Sequence, residues 1–246
     1  MNYRLIYDLH THTTFSHGKG SIEDNVMAAR EKGLKMIGIS DHGPGHVTYG
    51  VKRRNIAVMK KEIERLTLLY PDIEILLGVE ANIINPSGTL DVTEDEAKEF
   101  DYIIAGYHYG VFGEKPIHAV KVHAGNYILT KIGRSAGGMK LLNTELTVRA
   151  IYENNIKVLT HPGDKGCFDI AEIAKACADR GTWMEISTWH DYLSVDGIKL
   201  AAKSDVRFII SSDAHRPERI GDCEGAVKRI MEAGLDFERV VNLEVR

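Results

Sequence analysis

The sequence predicts an α/β fold of the barrel type, seven parallel strands each followed by helical or loop segments. Three observations carry that expectation. Seven short apolar runs alternate with helical patterns, the signature of a parallel sheet covered by helices. His10/His12, His42, Glu80, His108, His161, Glu185 and Asp213/His215 fall where those runs end. Seven strand ends converge on one point only if the strands form a ring, whose C-terminal face then carries the site; an open sheet would concentrate them at one crevice. The 246 residues suit a single barrel domain spanning 1–246, with no internal repeat or low-complexity stretch to suggest a second.

The first strand is read over Arg4–Leu9. It runs into Asp8-Leu9-His10-Thr11-His12, with His17 shortly after. His10 and His12 are two apart and project to the same side of extended backbone. Ser21-Ile22-Glu23-Asp24 is an N-cap with an acid at the third helical position, and Gly33 stops that helix. Met36–Ser40 is a buried strand ending in Asp41-His42-Gly43. Ile56, Met59, Ile63, Leu66 and Tyr70 mark the next helix. Ile73–Val79 is a third strand ending in Glu80, and 101–107 a fourth ending in His108.

The rhythm then breaks. Residues 110–142 read as a long, basic, glycine-rich loop at the barrel mouth, with Lys115, Lys121, Lys131, Arg134 and Lys140 against the single acid Glu114. Long loops inside a compact domain are often functional, and the segment reads equally as a substrate lid or as a plain solvated excursion. A helix is expected from about Asn143-Thr144, then a strand over 156–160 ending in His161-Pro162-Gly163. Asp169 caps a helix stopped by Gly181. Trp183–Ile186 and Val206–Ser211 are the last two strands, and a helix over about 223–233 precedes a short terminal segment.

Composition narrows the function. A hydrophobic fraction of 43% with 27% charged residues is that of a globular domain, and the net charge of −4 argues against a general nucleic-acid or membrane-surface protein. No apolar run approaches the roughly 20 residues that span a bilayer. With no signal-peptide pattern and three cysteines lacking CxxC spacing, a cytoplasmic protein is expected.

The strand-end residues combine imidazoles with carboxylates and no thiolate, a donor set that suits zinc, manganese or iron. They are too many for one tetrahedral ion, which points to two or three divalent ions. Adjacent metals clamp the attacking and leaving oxygens of a phosphoryl group. Hydrolysis of a phosphate ester is the reaction expected first, and amide hydrolysis second.

Taken in order, Asp8-Leu9-His10-Thr11-His12, Ser40-Asp41-His42-Gly43, Gly78-Val79-Glu80, His108, Thr160-His161-Pro162-Gly163 and Ser212-Asp213-Ala214-His215 resemble the motifs of the PHP (polymerase and histidinol phosphatase) superfamily over nearly the whole chain. The resemblance implies a distorted TIM-like (β/α)7 barrel and a trinuclear metal centre. Carried over by motif, His10, His12, Glu80 and Asp213 hold one ion. His17, His42 and His215 hold a second, and Glu80, as a bridge, holds the third with His108 and His161. Histidine at position 17 looks like the small phosphatase branch, because some nucleic-acid-degrading members carry aspartate there. The implied activity is hydrolysis of a small phosphomonoester, such as histidinol phosphate or a sugar or nucleotide phosphate, by hydroxide held on the metals. The rival readings are a nuclease or nucleotide phosphodiesterase, with the basic loop tracking a nucleic-acid backbone, and a non-catalytic module stabilised by metal.

Beyond the ligands, Arg216 is the expected phosphate grip, since guanidinium binds phosphate bidentately, with Lys19, Lys165 and Arg53 read as surface charges. Asp41 is a candidate for the chemistry or, with Asp8, for orienting an imidazole. Glu185 is read as a supporting or packing carboxylate. His46, His190, His118 and His123 are read as bystanders.

Overall fold

The computed structural model describes residues 3–111, 126 and 137–245. Its sheet strands are β2 (Tyr7–Asp8), β3 (Met36–Ile39), β4 (Glu74–Asn82), β5 (Tyr102–Gly106), β6 (Val158–Leu159), β7 (Trp183–Ser187) and β8 (Phe208–Ser211). They hydrogen-bond in that order as one seven-stranded sheet, parallel throughout. The ring closes just beyond the strands, where Thr11 bridges Ala214; His12 N donates to Ala214 O at 2.9 Å and Ala214 N to His10 O at 3.3 Å. The result is a nearly closed barrel, as expected.

Strand periodicity sorts its side chains. Ile37, Ile39, Ile75, Leu77, Leu159, Met184, Ile186, Phe208 and Ile210 face outward into the main core beneath the helices. Leu9, Ile104, Val158 and Ile209 point inward and fill the barrel with Tyr7, Met36, Leu76, Tyr102 and Trp183. The Tyr102 side chain lies across Gly38 and Gly78, where a Cβ would come within 1.9 Å of its hydroxyl oxygen and 2.3 Å of its ring, and the hydroxyl donates to Leu9 O at 2.7 Å. Above this apolar plug the inward positions turn polar: Glu80 and Asn82 on β4, Thr160 just after β6, Glu185 on β7. The buried acids and imidazoles that face into the barrel thus gather at its C-terminal end.

The helices are α1 (Ile22–Glu31), α2 (Ile56–Leu69), α3 (Glu94–Ala97), α4 (Gly137–Glu153), α5 (Ile170–Arg180), α6 (Val195–Ala201) and α7 (Glu224–Ala233). None of the described helices is long and apolar enough to cross a membrane. The capping box expected at Ser21 and Asp24 is present, and Gly181 ends α5 at φ 69°.

Two sequence expectations need correction. The first strand is split at Ile6, so β1 (Tyr3–Leu5) leaves the barrel and pairs antiparallel with β9 (Leu243–Val245). Helix α4 starts at Gly137, which makes residues 137–142 helix rather than loop. A helix start is expected near Asn143-Thr144, yet there the Asn143 amide is spent on Asn126 and Cys167 O, and Thr144 Oγ1 donates back to Lys140 O at 2.7 Å. Lys115, His118, Lys121, His123, Lys131 and Arg134 lie outside the described residues.

Candidate metal centre

Each element delivers its side chain for a local reason. His10 and His12 flank Thr11, which the closing bridge and the bond from Thr11 Oγ1 to Gly38 O (2.8 Å) pin between β3 and the end of β8. Both rings therefore sit over the barrel axis, 5.0 Å apart. Glu80 faces inward from within β4, two residues before that strand ends. His161 and Asp213 are held at φ 26° and 48°. Such left-handed conformations cost non-glycine residues of order 1–3 kcal/mol and persist where the surroundings impose them, as at functional sites.

Glu80 is the centre of the arrangement. Fully buried, it lies 3.3 Å from His10 Nε2, 3.7 Å from His12 Nε2, 2.7 Å from His42 Nδ1, 3.3 Å from His108 Nε2 and 2.9 Å from His161 Nε2. Thr160 Oγ1 also donates to it at 3.0 Å. Asp213 forms a second focus, 3.1 Å from His12 Nε2 and 3.4 Å from His10 Nε2. His17 and His215 complete the upper side, their rings 4.2 Å apart, with His17 stacked on Tyr49.

The electrostatics separate the acids from the bases. Burial pushes the Glu80 and Asp213 carboxyls up, but the surrounding imidazoles win and hold both well below the usual carboxylate range. Burial likewise works against charge on His10, and there Glu80, Asp213 and Glu185 outweigh it and raise its pKa well above normal. Elsewhere burial prevails: it takes His12 well below its usual value, His17 and His108 to about 3 and His46 to about 4. The carboxylates are held ionised and His12, His17 and His108 neutral, the protonation states that bind divalent cations.

The donor atoms fit such cations. Among the atoms that face one another at the centre, His10 Nε2, His42 Nδ1 and Glu80 Oε2 are buried without a hydrogen-bond partner, whereas His12 Nε2 and His161 Nε2 are hydrogen-bonded to Asp213 and Glu80. His42 Nδ1 and Glu80 Oε2 approach to 2.7 Å yet are out of line for a hydrogen bond. Lone pairs that converge without bonding one another are expected of ligands aimed at a shared ion. Three groups have donor atoms mutually within 4.8 Å: His10, His12 and Asp213; His12, His42 and His215; His42, Glu80 and His108.

Seven of the nine expected ligands, His17, His42, Glu80, His108, His161, Asp213 and His215, line one cleft of about 670 Å³, whose wall also carries Lys19, His46, Tyr49, Tyr109, Lys165, Trp189, His190 and Arg216; His10 and His12 are buried against Glu80 and Asp213. Arg216 is exposed there with no ion-pair partner among the described residues. Asp41 is placed differently from its expected part in the chemistry. Its oxygens accept from Thr13 N and Oγ1 (2.8 and 2.5 Å) and from the Ser16 hydroxyl, so it braces the loop between His12 and His17 and stays off the cleft wall. Asp8 similarly accepts from the backbone of His10, Ser212 and Gly221.

Other residues matter more than the sequence suggested. Glu185 lies 2.7 Å from His10 Nδ1 and accepts from His161 N at 2.5 Å, joining two ligands. Its position at the inward phase of β7 was the available signal. His190, read as a bystander, lies 3.2 Å from Asp213, and His46 lines the cleft. Asn82, not singled out, accepts from His108 Nδ1 at 2.8 Å; its spacing from Glu80 puts it on the same face of β4.

The family described as PHP domain matches residues 8–189. A probable phosphatase of Thermoanaerobacter sp. (strain X514) is 30% identical over 257 residues, covering 98% of this chain and 92% of that protein. The fold is similar to that of histidinol phosphate phosphatase from Lactococcus lactis subsp. lactis Il1403, solved with zinc, L-histidinol and phosphate. The TM-score is 0.60 at 15% identity, with 94% of each chain covered. A structure from work on the metal-dependent tyrosine phosphatases of Bacillus subtilis and Streptococcus pneumoniae shares the fold at TM-score 0.50 and 18% identity, over 92% of this chain and 86% of that one.

Proposed function

This chain belongs to the PHP domain family, and from that premise we propose a metal-dependent phosphatase that hydrolyses a small phosphomonoester. The observation that carries the reading is the convergence of five imidazoles on the buried carboxylate of Glu80, with unbonded lone pairs facing one another beneath an open cleft. Three ions are proposed. His10, His12, Glu80 and Asp213 hold one, His17, His42 and His215 a second, and Glu80, His108 and His161 the third. The proximity of His12 and His42 to more than one group supports closely spaced ions that share a donor neighbourhood. Divalent cations in such a site supply a nucleophile near neutral pH and neutralise charge developing on the phosphoryl oxygens.

The chain's own groups do the rest. Arg216 offers a guanidinium fork to phosphate oxygens at the cleft wall. Lys19 stands beside it, because Lys19 N bonds His215 O at 2.9 Å. Glu185, Asn82 and Asp41 hold the ligand-bearing segments in place. A cleft of about 670 Å³ falls within the roughly 300–1,000 Å³ range of small-molecule sites. That supports a compact substrate, such as histidinol phosphate or a sugar or nucleotide phosphate, over a polymer.

The test is a hydrolysis screen of monoesters, diesters and oligonucleotides, with zinc, manganese and iron added separately. Metal-dependent turnover of monoesters is expected to exceed that of the other classes. Faster cleavage of oligonucleotides would replace this reading with the nuclease one, and no hydrolysis of any class with any metal would leave a non-catalytic module.

A further inference from the structure

We infer that Asn82 and Asp91 are positioning residues that decide which ring nitrogen of His108 faces the metal cluster. The inference rests on the reading of His108 as a metal ligand and extends it to two side chains outside the ligand set. Both lie deep in the fold, Asn82 at 0% and Asp91 at 7% exposure. They face each other across a tight hairpin that prolongs β4: Asp91 N donates to Asn82 O at 3.1 Å, Ile83 bridges Leu90, and Ile84 N donates to Thr89 O at 2.9 Å.

Asp91 Oδ1 accepts from Asn82 N at 2.7 Å and Oδ2 from Gly45 N at 2.8 Å, and backbone N–H groups can only donate. The third neighbour of this carboxylate is the Asn82 amide, 2.5 Å from Oδ2. Burial pushes the Asp91 carboxyl up and the bonds from Asn82 and Gly45 pull it down; in its ionised form two acceptor oxygens would repel at that distance, so the NH₂ end of the amide faces Asp91. The carbonyl end is thereby turned to His108 Nδ1, 2.8 Å away. A carbonyl only accepts, so Nδ1 carries the proton. The lone pair is left on Nε2, which lies 3.3 Å from Glu80 Oε1 and 3.2 Å from His161 Nε2. Fixing a ligand's tautomer through its second nitrogen is the general means by which outer residues tune metal sites.

The same carboxylate reaches the His42 segment. A Cβ on Gly43 would stand 2.4 Å from Asp91 Oδ1, and one on Gly45 2.7 Å from Asp91 Cβ. The two glycines after His42 therefore leave the space that Asp91 occupies. One buried acid thus sets the orientation of His108 and the path of the chain behind His42.

The test uses the full chain loaded with zinc. Two-bond ¹H–¹⁵N correlation spectra, with the His108 signals identified by their loss in His108→Ala, are expected to place its proton on Nδ1; a proton on Nε2 overturns the inference without any change at Asn82. Zinc affinity is then measured by competition with a chromogenic chelator for wild type, Asn82→Leu, Asp91→Asn, His108→Ala and the double variant Asn82→Leu/His108→Ala. Asn82→Leu is expected to weaken the most labile zinc about 10–100-fold, Asp91→Asn to weaken it less, and the double variant to match His108→Ala. A purely structural role predicts additive losses instead. Additivity, or wild-type affinity in a folded Asn82→Leu or Asp91→Asn protein while His108→Ala is impaired, overturns the inference. Wild-type affinity in His108→Ala refutes the ligand reading itself, and this inference with it.

Discussion

Glu80 shows how much one side chain can organise. A fully buried carboxylate is stable only while polar partners surround it, and here five imidazoles lie within 3.7 Å, among them His10, whose pKa is raised well above normal. Replacing it with glutamine keeps the shape and removes the charge. Glu80→Gln is expected to lose more turnover than the roughly 10–100-fold typical of an outer partner, and steady-state kinetics on a phosphomonoester checks this. Glu185→Gln is expected to fall within that range, because it touches the centre only through His10 Nδ1 and His161 N. Arg216→Lys should act on binding instead. Loss of the guanidinium fork is expected to raise KM about tenfold, with kcat nearly unchanged, as for one charge-assisted hydrogen bond removed. An equal fall in kcat would place Arg216 in the transition state rather than in substrate capture. At this scale the residues of the proposed metal centre stood out because imidazoles and carboxylates at strand ends have few structural reasons to cluster. Asn82 and Asp91 were not, because an asparagine and an aspartate flanking Asn85-Pro86-Ser87-Gly88 look like ordinary turn residues until the fold brings them against His108.

The elements were read best where a local signal and a tertiary demand agree. Helix α1 has its cap, its acidic first turn and its apolar stripe, and all appear where the pattern puts them. Ser21→Ala is expected to cost about 1 kcal/mol and to lower Tm by roughly 2–4 °C, measurable by calorimetry. Reading failed where tertiary contacts took polar residues from their local roles, as at Asn143 and Thr144, or where a strand was broken by its partners, as at Ile6. The β4 hairpin is a further case. Gly88 turns at φ 80° against α4, where a Cβ would lie 2.3 Å from Ala150 N. Gly88→Ala is expected to destabilise by about 1–3 kcal/mol and to weaken metal binding as well, since the hairpin carries Asp91. An unfolding curve and a zinc titration together check the coupling; lost stability with intact affinity would separate hairpin from site.

For the whole molecule, the division of labour along the barrel axis is the main result. An apolar plug around Tyr102, Ile104, Val158 and Ile209 fills the lower part, and the polar ring of Glu80, Glu185 and the imidazoles occupies the upper. That division follows from the period-two pattern of the strands, so it could be anticipated from the sequence. How the ring closes could not, because Thr11 and Ala214 pair by a single bridge that no propensity marks. Clustering so many donors is unfavourable unless cations compensate it, and metal binding should therefore contribute to folding stability. Chelation is expected to lower Tm and abolish turnover, and added zinc or manganese to restore both.

The central claim is that these nine residues hold several ions together. Elemental analysis of folded protein purified without chelator tests it most directly. The account predicts more than one divalent ion per chain, approaching three. It also predicts that Glu80→Ala lowers the count by more than His108→Ala, because Glu80 is the proposed bridge. A count at or below one ion in fully folded protein would contradict it.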